Sequence, residues 1–348
     1  MISAVHYIPA TIERNHFKFK SLSSWALNLH MGCGHGCRFC FVPDTSTNKR
    51  ATLLRTHGVA NPVADWGDYV LVRPWDEKKF MSSLRKAENT DPGLLNADGN
   101  RAVFLCSTTD PYQVIRNPDP GKQKVLDQLA RRVVRKALTA IRDHSTLNVR
   151  ILTRSPLARE DFDLFKSFGN RLVLGTSLPT LDPVISNLYE GKTSAPKHRL
   201  KLLIDAHTAG INTYVAVAPV FPECGHQGML DVFEAVKAAN PCTIFMEPVN
   251  LRLGIAERIQ SEAMKHGRQI DMTPYTNTTA WSQYAITTLR DAERAAATAG
   301  VIDRLHLWPD HQALGSKGVI NRQPDPIGYL KWLSGYWERI SEWPGKTA

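Results

Sequence analysis

The chain has 348 residues, 43% hydrophobic and 22% charged, a balance that excludes a disordered chain and allows one large α/β domain or two smaller ones. No apolar run is long enough to cross a membrane. Lys and Arg number 43 against 33 Asp and Glu, a formal net charge of +10, which favours anionic partners such as nucleic acid or phosphorylated substrates. Six cysteines are too few for a disulfide scaffold, and the N-terminus carries no secretory signal, so a reducing, cytoplasmic setting is expected.

In chain order, a short strand at residues 25–29 leads into a glycine-rich loop with Cys33, Cys37 and Cys40 in the spacing Cys-x3-Cys-x2-Cys. Three thiolates packed this tightly suit one compact cluster. A four-iron cluster normally takes four cysteines, so three leave one iron open. The competing reading is zinc, completed by His35 inside the loop or by Cys224 and His226 from afar, in a non-enzymatic metal-binding protein. Residues 42–92 read as a polar insertion with a strand at 69–72 and a helix near 77–86. An apolar strand at 102–106 ends at Ser107, Thr108, Thr109 and Asp110.

A helix follows at 122–142, with Leu126, Leu129, Val133, Ala137 and Ile141 on one stripe and Arg131, Arg132, Arg135 and Lys136 mostly off it. That basic side reads as a solvated outer face. Strands at 149–153, 171–176, 212–218 and 243–247 then alternate with helices at 159–168, 196–209 and 229–239. Such alternation predicts a parallel sheet with helical crossovers. The fold class is therefore α/β: a partial (β/α)6 TIM-type barrel over residues 1–250, with a mainly helical C-terminal extension, 251–348, packed on it. The extension is expected to hold helices at 255–265, 280–298 and 327–342, a strand at 305–308 and a loop at 309–321. Functional residues of parallel α/β folds collect where strands end. That rule selects the cysteine loop, Thr108 to Asp110, Arg154, Ser155, Ser177, Pro219 to Cys224 and Glu247 to Asn250.

The cysteine spacing, with aromatic Phe39 just before the last cysteine, resembles the cluster motif of radical S-adenosylmethionine (SAM) enzymes. Several further runs resemble the branch of that family containing spore photoproduct lyase. They are Asn28 to Cys37, Thr109-Asp110-Pro111-Tyr112-Gln113, Leu152 to Ser155, Arg159 to Asp161, Thr176-Ser177, Glu190, Ala195 to Leu200 and Ala218 to Pro222. The match covers roughly residues 22–250. The resemblance implies a 4Fe-4S cluster on Cys33, Cys37 and Cys40 whose open iron chelates SAM. Reductive cleavage of SAM then yields a 5′-deoxyadenosyl radical, which takes a hydrogen atom from a substrate that the sequence does not name. It implies a one-electron donor such as flavodoxin or ferredoxin, and nucleic-acid repair or modification as the alternative function.

The resemblance also assigns roles. Phe39 lies against the adenine, Arg154 takes the place of a lysine that contacts the SAM carboxylate, and Ser177 and Arg199 line the SAM pocket. Asp110 is expected to hold its loop by accepting backbone hydrogen bonds. Three departures stand out. The hydrogen-donating cysteine of spore photoproduct lyase is replaced by Ser107, and Cys106, one residue earlier, is the remaining catalytic candidate. A one-residue shift in a strand turns a side chain to the opposite face. Tyr69 and Tyr112 are the only tyrosines near the place of the family's pair, and Glu223, Cys224, Gly225 and His226 stand where many relatives carry Asn-Asp.

Overall fold

The computed structural model describes residues 1–15, 22–95, 99–250, 253–338 and 342–344. Its strands are β1 (Ile2–Val5), β2 (Ile12–Arg14), β3 (Trp25–Leu27), β4 (His30–Met31), β5 (Tyr69–Val72), β6 (Ala102–Leu105), β7 (Asn148–Thr153), β8 (Leu172–Ser177), β9 (Asn212–Val220), β10 (Ile244–Pro248) and β11 (Leu305–Leu307). The main sheet has the order β11-β10-β9-β8-β7-β6-β3-β2. Every neighbouring pair is parallel except β2 with β3. No pairing joins the two edge strands among the described residues, so the sheet is an open, partial barrel.

The six predicted strands form the centre of this sheet in sequence order. They are buried on both faces because helices cover one side and a packed interior fills the other, as β8 shows with all six residues buried. The long helix Pro120–His144 starts where Asp119 accepts from the N–H groups of Gly121 and Lys122, with proline at its first position. Its stripe is core as expected: Leu126, Val133, Ala137 and Ile141 are buried and Leu129 is partly so. Two cations of the basic side are engaged within the chain, Arg131 with Glu160 and Arg135 with Asp161 and Asp163.

Several elements differ from the sequence expectation. Residues 159–168 form a 3-10 turn, Pro156–Asp161, and then a short helix, Phe162–Lys166, because Pro156 and the Ser155 cap start the segment early. The helix expected at 229–239 begins at Gly225. A helix at Pro183–Glu190 was unforeseen; Asp182 caps it, and Gly191 at φ +66° ends it. The insertion supplies β5 to a small second sheet of order β1-β5-β4. These strands are short, and two lie outside the alternating pattern, so local periodicity does not reveal them.

In the C-terminal part, β11 pairs with β10 and extends the main sheet. The helices are Leu253–Lys265, Thr278–Ala299 and Pro326–Trp337. The last was expected to run to 342; it ends at Trp337, and residues 339–341 lie outside the described ones. The loop after β11 contains two four-residue helices, His311–Leu314 and Lys317–Ile320. No helix among the described residues is long and apolar enough to cross a membrane.

Candidate active site

Cys33, Cys37 and Cys40 lie in the loop after β4, at the end of the sheet where β3, β6, β7 and β8 terminate. The loop needs glycine at two close approaches. Gly32 has φ +83°, and a Cβ there would stand 2.4 Å from Tyr69 O. Gly36 has φ +62°, and its Cβ would meet the Gly67 Cα at 3.0 Å. The run Thr109 to Gln113 braces the same loop. Thr109 Oγ1 donates to Gly32 O at 2.6 Å, and Gln113 Oε1 accepts from Gly34 N–H at 2.6 Å. Asp110 is the hub. Its Oδ2 bonds His35 Nε2 at 3.0 Å and accepts from Arg154 N–H at 2.8 Å. Its Oδ1 accepts from Tyr112 N–H and Thr153 Oγ1, each at 2.8 Å. Burial alone would raise this carboxyl, but His35 and the donors outweigh it and hold it below its usual range.

All three loop thiols are free, with Cys33 and Cys37 buried and Cys40 partly so. Burial pushes all three up, Cys40 to about 12, and proximity adds to this: Cys37 raises both Cys33 and Cys40. Such thiols ionise together only when cationic metal stabilises the thiolates. Among the described residues no three His, Cys, Asp or Glu come close enough to hold a single metal ion. Three free thiols in one loop are the donor set of a four-iron cluster that leaves one iron open, so the residues present fit that group. His35 is engaged with Asp110. Cys224 donates to Pro179 O at 3.7 Å within the core.

The SAM-pocket candidates converge beside the loop. Arg154 places its guanidinium 5.3 Å from the Phe39 ring centroid. Its Nη2 donates to Ser177 Oγ at 2.7 Å and its Nε to Glu190 Oε1 at 3.3 Å. Ser177 Oγ in turn donates to Ala218 O at 2.8 Å. Arg199, 0% exposed, forks onto both Glu190 oxygens and also donates to Ser177 O and Ser186 Oγ. These bonds make Arg199 a brace for Glu190 and Ser177. Burial would raise Glu190, yet its two arginines hold it low. One carboxylate between two guanidiniums leaves a net positive charge, and Arg154 is the partner with exposed surface. Behind Phe39, Phe221 stacks on Tyr189 at 3.9 Å, and the Tyr189 hydroxyl donates to Glu223 at 2.7 Å.

Cys106 does not follow the strand alternation assumed from sequence. It lies just past β6 at φ +61° and packs into the apolar core that also holds Tyr112. Ser107 bonds Asn28 Nδ2 at 3.3 Å. Tyr69 and Tyr112 fall in separate clusters; Tyr112 donates to Asp161 at 2.8 Å, and Tyr69 bonds Pro62 O at 3.2 Å.

Sequence reasoning missed a clasp from the helix Leu253–Lys265. Arg258 donates to Cys40 O at 2.7 Å and Arg38 O at 3.0 Å, and pairs with Asp44 at 3.0 Å. Glu262 pairs with Arg38 at 2.6 Å. The i,i+4 spacing of Arg258 and Glu262 was the only signal, and it is common on any exposed helix.

The architecture is a partial (β/α) barrel, and its fold is similar to that of spore photoproduct lyase. That enzyme complexed with dinucleoside spore photoproduct matches with a TM-score of 0.59 at 15% identity, over 88% of this chain and 81% of that one. A mutant with bound AdoMet and dinucleoside spore photoproduct matches at 0.59 and 14% identity, with the same coverage. No family model matches the sequence. The chain is 32% identical over 208 residues to an uncharacterized protein of Acidianus two-tailed virus, covering 58% of each. It is 27% identical over 206 residues to an uncharacterized protein of Mycobacterium tuberculosis, covering 59% of this chain and 52% of that one. The match thus spans little more than half the length of these curated relatives.

Proposed function

We propose that this chain is a radical SAM enzyme that abstracts hydrogen from its substrate. The observation that carries the reading is the set of three free thiols in one loop, tied at Gly32, Gly34 and His35 to the run Thr109 to Gln113 at the strand ends. Cys33, Cys37 and Cys40 would hold a 4Fe-4S cluster. Bound there with SAM, that cluster supplies the electron that cleaves the sulfonium and frees a 5′-deoxyadenosyl radical. Arg154 offers its guanidinium to the SAM carboxylate, with Glu190 and Ser177 fixing its direction. Phe39 lies under the same guanidinium and provides an apolar face for the adenine. Arg199 and Asp110 position these groups from below. A flavodoxin or ferredoxin is the expected electron donor.

For the substrate, we favour a nucleic acid or nucleotide. Net charge supports this, as does the fold shared with an enzyme solved with a dinucleoside photoproduct. Ser107 replaces the lyase's cysteine, so the same lesion repair is not carried over.

The test is anaerobic reconstitution with iron and sulfide, then reduction in the presence of SAM. A brown protein with four irons that releases 5′-deoxyadenosine is expected, and Cys37→Ala should lose both cluster and product. Turnover persisting in Cys37→Ala, or a colourless protein holding stoichiometric zinc, would overturn the assignment.

A further inference from the structure

β1 and β5 run parallel, and the chain continues side by side beyond both, with His6 N–H on Val72 O and Ala10 N–H on Pro74 O. Arg73 is the first residue past β5, and its N–H donates to Leu29 O, just before β4 begins. Its side chain is only 6% exposed. Nη1 reaches Pro9 O at a marginal 3.5 Å, and Nε has no partner. Glu13 acts on this charge through space, while Arg50 opposes it and Cys106 lies within electrostatic reach. A guanidinium stays charged, and a buried one without a contacting anion is costly. That vacancy in its contacts points to an anion supplied from outside.

A second, independent feature adjoins it. The rings of His6, Tyr7 and His57 lie nearly parallel, with centroids 4.8–5.6 Å apart. Tyr7 is 61% exposed, flanked by exposed Val5 and Ile8. An open aromatic face on the strand next to a buried guanidinium suits a base on the ring and a phosphate on the charge.

We infer that Arg73 binds a phosphate of a nucleotide-bearing substrate, with its base stacked on Tyr7. The inference rests on the reading of this chain as a radical SAM enzyme with a nucleic-acid or nucleotide substrate. Its test, however, is binding and needs no turnover.

The full chain, reconstituted anaerobically, is titrated by fluorescence anisotropy with a labelled single-stranded oligothymidylate. Unlabelled thymidine monophosphate and inorganic phosphate are the competitors. Arg73→Gln should weaken oligomer binding about tenfold and reduce the salt slope by about one. Arg73→Lys should recover part of the loss. Tyr7→Ala, on the surface and harmless to the core, should weaken binding about tenfold with the slope unchanged. Arg73→Gln should also leave the melting temperature unchanged or higher, whereas a purely structural arginine would lower it.

Binding of mononucleotide and phosphate that depends on Arg73, without oligomer binding, supports the site and makes the ligand a free nucleotide. Oligomer binding at wild-type strength in both Arg73→Gln and Tyr7→Ala overturns the site while the nucleic-acid reading survives. Failure of the wild type to bind any of the three probes overturns the site outright.

Discussion

Replacing Asp110 with alanine tests how the cysteine loop is held. The carboxylate is 5% exposed and takes four hydrogen bonds, at 2.8, 2.8, 2.8 and 3.0 Å. Bonds to a charged acceptor contribute about 1.5–3 kcal/mol each, but they share one acceptor and are not additive. Alanine leaves four buried donors without a partner, so cluster-free Asp110→Ala should lose about 4 kcal/mol, a large fraction of a typical ~5–15 kcal/mol. Asp110→Asn keeps one acceptor oxygen and should lose about half as much. Urea unfolding of the cluster-free chains measures both, and bound iron after reconstitution reports the loop. A loss under about 1 kcal/mol for alanine, with wild-type iron content, would refute the hub role.

Three further outcomes follow from named contacts. Arg258→Met removes the bonds to Cys40 O and Arg38 O and the Asp44 pair, a local loss of about 2 kcal/mol, so a chelator should strip iron roughly 10–30-fold faster. An unchanged stripping rate would mean the C-terminal helix does not secure the loop. Gly36→Ala places a methyl 3.0 Å from the Gly67 Cα at a positive φ, at a cost of about 2–4 kcal/mol, and reconstituted iron should fall below half the wild-type content. Full iron loading would show that the close approach is dispensable. Burial lowers His30 to about 4 from 6.5, so the unfolded chain binds the extra proton between these values and stability falls as pH drops through that window. The His30 contribution is about 3 kcal/mol at its limit, and His30→Gln should flatten that part of the pH–stability curve of cluster-free protein. Equal pH dependence in both chains would place the effect elsewhere.

The six central strands were legible because each is a short apolar run followed by a helical stripe, a pattern that only a parallel sheet with crossovers satisfies. β1, β2 and β4 were not, since two to four residues carry too little periodicity to stand apart from loop. The cysteines were legible because their chemistry and spacing are local. Arg258 is the opposite case: its partners Cys40 and Asp44 lie more than two hundred residues away in the chain, at positions that packing alone brings near.

Sequence by itself determined the order of the six central strands and the three-thiol loop, since both arise from neighbouring residues whose periodicity or spacing is written in the chain. The tertiary structure alone decided that Arg199 braces and Arg154 faces outward, because both are plain arginines until Glu190 is buried between them. It also decided that Arg73 stands buried with no carboxylate in contact among the described residues, a property of what surrounds a charge, which no local pattern encodes.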